Sequence, residues 1–218
     1  MKTVSAVDVA KGYLEEKIVK GVIFPGQQIK EEDISRQLNI SRPPIREAFK
    51  ILEGEGLVYR RPNRGVFVSQ IKEKDVWEVY TLLESLCELA LRLAFDLISE
   101  KETRKLERIV SEMDSCVQRH SRKVIARYQD LNSRFHCFFA EIADHQRLRI
   151  MLFNLTTQIR RLSYQAFLDK NHMRRSNLEH ESILEAIRKG DREKALKLTR
   201  LHVEKVSRKH KAIAAQST

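Results

Sequence analysis

Apolar residues return every three or four positions through most of this chain, and the places where that rhythm fails divide it into elements. In "VSAVDVAKGYLEEKIVKG" the residues Val7, Ala10, Leu14 and Ile18 recur at helical spacing, and "VIFPGQQI" breaks the pattern at Pro25 and Gly26. "KEEDISRQL" predicts a second, short helix with Glu31, Glu32 and Asp33 in its first turn, where the helix dipole favours carboxylates. Asn39 follows as a turn residue, because asparagine tolerates the left-handed backbone of a tight helix-to-helix turn. Ser41 is then a good N-cap, and Pro43 and Pro44 are acceptable only in the first turn of the helix it starts. That helix carries Ile45, Ala48, Phe49 and Leu52 inward and ends near Gly54 or Gly56. "LVYRR" and "GVFVS" read as two strands joined by the turn "PNRG".

All four prolines lie before residue 63, and beyond Ile71 the pattern is almost wholly helical, over roughly 75–98, 101–119, 122–143, 146–168, 173–189 and 191–212. Long amphipathic helices with connections this short imply an antiparallel bundle. The expected fold is therefore mainly α: an N-terminal winged helix-turn-helix over residues 1–69, a linker over 70–76, and a bundle of six or seven helices over 77–218.

Charge adds a partner class. Lys and Arg number 41 against 30 Asp and Glu, a net charge of +11, which favours a polyanion. Twelve basic and nine acidic side chains precede residue 70, against twenty-nine and twenty-one after it, so net charge alone does not locate the binding segment. Cys87, Cys116 and Cys137 are odd in number and lack Cys-x-x-Cys spacing, which fits small core residues in a reducing compartment. No run of eighteen apolar residues occurs, and the expectation is a soluble, cytoplasmic protein without a membrane partner.

A helix-turn-helix sets its second helix in the DNA major groove. Arg42 and Arg46 stand four apart, off the Ile45, Ala48, Phe49, Leu52 face, and reach one groove together; Arg to guanine is the commonest specific contact. Ser41, at the helix N-terminus, suits a phosphate. On the wing, Gly65 lets the backbone approach DNA closely and Arg64 is placed nearest the minor groove. The stretch "IVKGVIFPGQQIKEEDISRQLNISRPPIREAFKILEGEGLVYRRPNRGVFV" resembles the DNA-binding domain of GntR-family bacterial transcription regulators. That resemblance implies operator contacts by Arg42, Arg46, Arg64 and Gly65, and an effector-responsive regulator acting as a homodimer on double-stranded DNA.

The bundle carries seven histidines. His180 lies ten residues before Gly190 and His202 twelve after it, so in an antiparallel hairpin the two come level, at a rise of about 1.5 Å per residue. Asn132 and His136 share one helix face. Three converging histidines with an oxygen ligand suit zinc, nickel or a similar divalent metal; histidines that satisfy one another are the alternative. Glu179 and Glu181 flank His180 but are expected to aim away from its ligand face. "NSRFH", "LEHESILEAIRKGD" and "LTRLHVEKV" resemble the C-terminal domain of the FadR-like branch of the same family. The resemblance implies metal ligation by Asn132, His136, His180 and His202, with a small carboxylate effector. Asn132 stands where the family usually has Asp, Leu83 where many members have a carboxylate-pairing Arg, and Cys87 where Glu is usual. The effector is then expected to be less anionic than the family norm or to be held by other residues, Arg134 or Arg160; the alternative is a bundle that has lost its metal and ligand and serves only dimerisation. No glycine-rich phosphate loop and no nucleophile motif occurs, so a metal-dependent hydrolase is the disfavoured reading.

Overall fold

Ser5 opens the first helix, α1 (Ala6–Val19): its hydroxyl accepts from the Asp8 N–H at 3.1 Å, and the Asp8 carboxylate accepts from the Ser5 N–H at 3.2 Å. The structure is a computed structural model and describes residues 5–215; the chain's outermost residues, 1–4 and 216–218, which the sequence reading assigns to the ends of the two domains, lie outside it. Ala10, Leu14 and Ile18 form the buried stripe of α1. After β1 (Gln28–Ile29) come α2 (Glu31–Leu38) and α3 (Arg42–Gly54). Asn39 sits between them at φ 52°, in the left-handed region expected of it. Ser41 is the N-cap residue of α3 with an extended backbone, but its side chain makes no capping hydrogen bond, and the prolines occupy the first turn. Ile45, Ala48, Phe49 and Leu52 are all buried against α1 and the sheet.

The wing is β2 (Val58–Arg61) and β3 (Gly65–Val68), joined by a turn in which Asn63 and Gly65 both have positive φ. Here the expectation of two strands is corrected to three. β1 pairs antiparallel with the free edge of β3, with Ile29 opposite Val66, giving the order β1-β3-β2. Two residues are too few to show an alternation of their own, so β1 exists only through that pairing.

A second unit spans residues 72–218, the first ending at Ile71. Its helices are α4 (Glu73–Ala94), α5 (Glu100–Gln118), α6 (Arg122–Ile142), α7 (Gln146–Gln158), α8 (Arg160–Phe167), α9 (Lys170–Arg188) and α10 (Arg192–Ala215), with a 3₁₀ turn at Phe95–Leu97. Two expectations shift. The helix α4 starts at Glu73, inside the segment read as linker. The helix read over 146–168 is broken at Ile159, with φ −92° and ψ 2°. The adjacent β-branched Thr156 and Thr157 precede the break, and the Thr156 hydroxyl donates to the Phe153 carbonyl at 2.9 Å, competing with the helical ladder.

The bundle core is centred on aromatic side chains of α6. Phe135 is fully buried and meets Phe139, His136 and His180 edge-on, with centroids 5.4, 5.4 and 4.7 Å away. Phe135→Ala is expected to cost the bundle about 3–5 kcal/mol, read as a lower denaturant midpoint at unchanged slope.

Candidate functional site

Arg42 and Arg46 project one turn apart from α3, on the side away from its buried stripe, and are 52% and 56% exposed. Each is held by a carboxylate of α2: Arg42 donates from Nη2 to Glu32 at 2.6 Å, and Arg46 from Nε to Glu31 at 2.8 Å. The wing arginines separate by role. Arg61 lies over the Phe67 and Tyr59 rings and donates to the Tyr59 hydroxyl at 2.8 Å. Arg60 turns to Glu53, which also accepts from the Arg60 backbone N–H at 3.0 Å. Among the described residues Arg64 has neither a carboxylate nor a ring partner, and its carbonyl accepts from Gln28 Nε2 at 2.6 Å. Gly65 next to it has φ +92°, a backbone that favours glycine, and a Cβ there would press on the Gln28 amide at 3.1 Å unless that side chain shifted slightly.

In the bundle, α6, α9 and α10 bring together His136, His180 and His202, with one ring nitrogen of each within 4.8 Å of the others. All three are buried. The Nε2 atoms of His136 and His180 are 3.3 Å apart, and the His202 ring lies 4.5 Å from that of His180 and stacks on that of His136. His202 Nδ1 donates to Glu179 at 2.8 Å, while Glu179 accepts from Lys205 with its other oxygen at 2.8 Å. Burial and the neighbouring His202 ring push His136 down to about 3. Burial, then His202 and His136, hold His180 well below the ordinary histidine value. Glu179 is raised by burial but more strongly lowered by its bonds to His202 and Lys205, and stays ionised.

These residues fit a divalent metal. Two of the three imidazoles are held neutral, the form in which a ring nitrogen offers a lone pair. The third is oriented by a carboxylate on its far nitrogen, the arrangement that commonly backs a metal-bound histidine. Asn132, one turn before His136, borders the same cavity. The expectation for Glu179 is corrected: it aims past His180 but reaches His202 across the hairpin. Its place eleven residues before Gly190, against twelve for His202 after it, was the signal available for that contact.

The cavity beside the histidines has a volume of about 50 Å³; Leu83, Cys87, Gln129, Asn132, Ser133 and Arg160 are among its lining. Burial, then Cys137, pushes the Cys87 thiol up to about 12, so it stays protonated. Arg160 donates to Asp130 at 2.5 Å. Arg134, the other arginine expected at the effector, borders a different cavity of about 440 Å³ with Arg149, Ile150 and Phe153, where Arg160 also contributes. The remaining histidines serve the fold: His145 Nδ1 caps α7 by accepting from the Leu148 N–H, and His120 donates from Nε2 to the Phe167 carbonyl at 2.9 Å. His172 is buried, and the fully buried His210 pairs through Nδ1 with the Tyr80 hydroxyl at 2.6 Å.

A winged helix-turn-helix head joined in one chain to a helical bundle with a small, mainly apolar cavity bordered by a few polar side chains is an architecture suited to a ligand-responsive transcription regulator. The chain belongs to the gntR family of bacterial regulatory proteins, whose domain it matches over residues 7–68, in the branch with a C-terminal FCD domain, matched over residues 75–205. It is 27% identical to the HTH-type transcriptional repressor RspR of Escherichia coli over 206 residues, 94% of this chain and 89% of that one. Identity to the gluconate operon transcriptional repressor of Bacillus subtilis is 26%, over 87% of this chain and 77% of that one. Its fold matches a putative GntR regulator from a Rhodococcus species with a TM-score of 0.78 at 22% identity, covering 94% and 96% of the two chains. McbR/YncC of Escherichia coli matches with a TM-score of 0.77 at 17% identity, over 98% and 99%. The protein is thus a sequence-specific DNA-binding transcription regulator with an effector-binding domain, and not an enzyme. No helix among the described residues is long and apolar enough to cross a membrane.

Burial, then the neighbouring His172, lowers His210 from 6.5 to about 3 in the folded chain. A depressed histidine binds its proton more readily when unfolded, so its stabilisation is complete above pH 6.5 and is lost as pH falls toward 3. Unfolding free energy measured across that window should decline steadily, and His210→Leu should flatten the decline.

Proposed function

We propose that Arg42 and Arg46 read base edges in the major groove of a two-fold operator, with Ser41 on a phosphate and Arg64 and Gly65 at the minor groove. The chain acts in the cytoplasm as a homodimer, because one head makes few base contacts and a two-fold protein matches a two-fold site. The bundle takes a small carboxylate from a metabolic pathway beside a divalent metal, zinc or nickel, held by His136, His180, His202 and Asn132. When bound, the metal supplies an electron-pair acceptor for a carboxylate oxygen. Glu179 orients His202, and Arg160 at the cavity edge supplies countercharge. Arg134, the other candidate for the effector, borders the larger cavity instead of the one beside the histidines. The effector alters DNA affinity to the extent that it binds one conformation of the protein better than another.

The observation carrying the effector half is the convergence of three buried imidazoles, two of which, His136 and the Glu179-backed His202, border a cavity that Arg160 also lines. A bundle without metal is the second reading, favoured by the 3.3 Å contact through which His136 and His180 satisfy each other. Adding zinc or nickel should raise the melting temperature by mass action, and His180→Ala should abolish that rise. An identical melting curve with and without metal would decide for the second reading. For the head, Arg46→Ala should cost about 1–3 kcal/mol at the preferred site and relax specificity there; unchanged binding would remove α3 from the groove.

A further inference from the structure

Each carboxylate in the first turn of α2 holds an arginine, but the guanidinium atoms used are different. Arg46 donates through Nε to Glu31, which leaves both terminal nitrogens outside that bond. Arg42 donates through Nη2 to Glu32, so one prong of its fork is taken. The carboxylates differ as well: the Glu31 side chain is 25% exposed and that of Glu32 61%. Asp33 pairs with Arg36 inside α2 and does not reach α3.

We propose that Glu31 is a positioning residue that presents the Arg46 fork to a guanine, whereas Glu32 is a competitor that DNA must displace from Arg42. This rests on the reading that α3 lies in the major groove. A bidentate contact to guanine O6 and N7 takes two N–H groups at one edge of the guanidinium. A carboxylate on Nε leaves the Nη1/Nη2 edge open and restricts rotation of the group, so less freedom is lost when that edge engages a base. A carboxylate on Nη2 takes one of that terminal nitrogen's two N–H groups and holds negative charge against the fork, so it competes with a base for Arg42. Both carboxylates also add negative charge near the phosphates, so neutralising either strengthens binding to DNA of any sequence. Only loss of Glu31 should erode discrimination between sequences.

The test uses the full-length chain and two duplexes. One is the tightest binder recovered by the wild-type protein from random-sequence DNA, the other a scrambled duplex of the same composition. Dissociation constants at one fixed salt concentration give the specificity ratio. Glu31→Gln should lower the ratio about tenfold, the scale of one good bidentate contact, while scrambled DNA binds as well or better. Glu32→Gln should tighten both duplexes by a similar factor, roughly two- to fivefold for an exposed pair, and leave the ratio alone. In an Arg46→Ala background the Glu31→Gln change should have no further effect on the ratio, which separates positioning from any general effect on the head. An unchanged ratio in Glu31→Gln, or an equal fall when Arg46 is absent, overturns the assignment of Glu31. A fall in the ratio for Glu32→Gln overturns that of Glu32. Recovery of no preferred duplex would remove the DNA reading itself, and this proposal with it; a preferred duplex with failed ratios removes the proposal alone.

Discussion

Three imidazoles lie buried side by side where α6, α9 and α10 meet, and keeping such polar rings inside an apolar bundle is the constraint on which this unit depends. Charging any of them away from water is costly, which is why burial is the first cause of the depressed values of His136 and His180. The solution visible here distributes the load. His136 and His180 face each other, His202 is tied to Glu179, and Lys205 holds Glu179 on its solvent side. Phe135 fixes the geometry by packing against two of the rings, so the polar cluster and the aromatic core stabilise each other. A slip of α10 against α9 by one turn would leave Glu179 and His202 both unmatched.

The head works under the opposite condition. Its charged pairs between α2 and α3 are half exposed, and such pairs contribute about 0–1 kcal/mol each. On the proposed reading Arg42 exchanges Glu32 for DNA while Arg46 keeps Glu31 on Nε, and pairs this exposed make the exchange cheap. The wing shows the same economy: Arg60 and Arg61 are engaged by Glu53, Tyr59 and Phe67 and stiffen the hairpin, while Arg64 stays at the tip.

How far this was legible in the sequence depends on whether the determinant is local. Asn39, Ser41 and the two prolines mark the α2–α3 turn because backbone restrictions act within a few residues, and each stands at its expected position, although the Ser41 hydroxyl makes no capping bond. The levelling of His180 with His202 was legible because a short turn at Gly190 converts residue counting into spatial register. What escaped depends on partners distant in the chain. β1 is a strand only because β3 offers an edge, and the break at Ile159 reflects side-chain bonding that competes with a ladder still favoured by composition. Arg134 and Arg160 looked equivalent as arginines, but only the position of α8 relative to α6 decides which cavity each borders. Glu179 was set aside by looking at one helix when its partner stood on the next.

Arg160 brings these strands together. Along the cavity wall, Asn132, Leu83 and Cys87 stand where the resembled family carries charged groups, and the thiol of Cys87 stays protonated. Arg160 is therefore the one guanidinium lining a wall without carboxylates, and it also borders the larger cavity, where Asp130 accepts its Nη2. Its backbone carbonyl accepts from Gln129 Nε2 at 2.6 Å, which ties the start of α8 to α6 next to the histidines. On the proposed reading, an anion entering the smaller cavity competes with Asp130 for this one side chain. Binding at the histidines would then bear on the lining of the larger cavity as well, because Arg160 borders both.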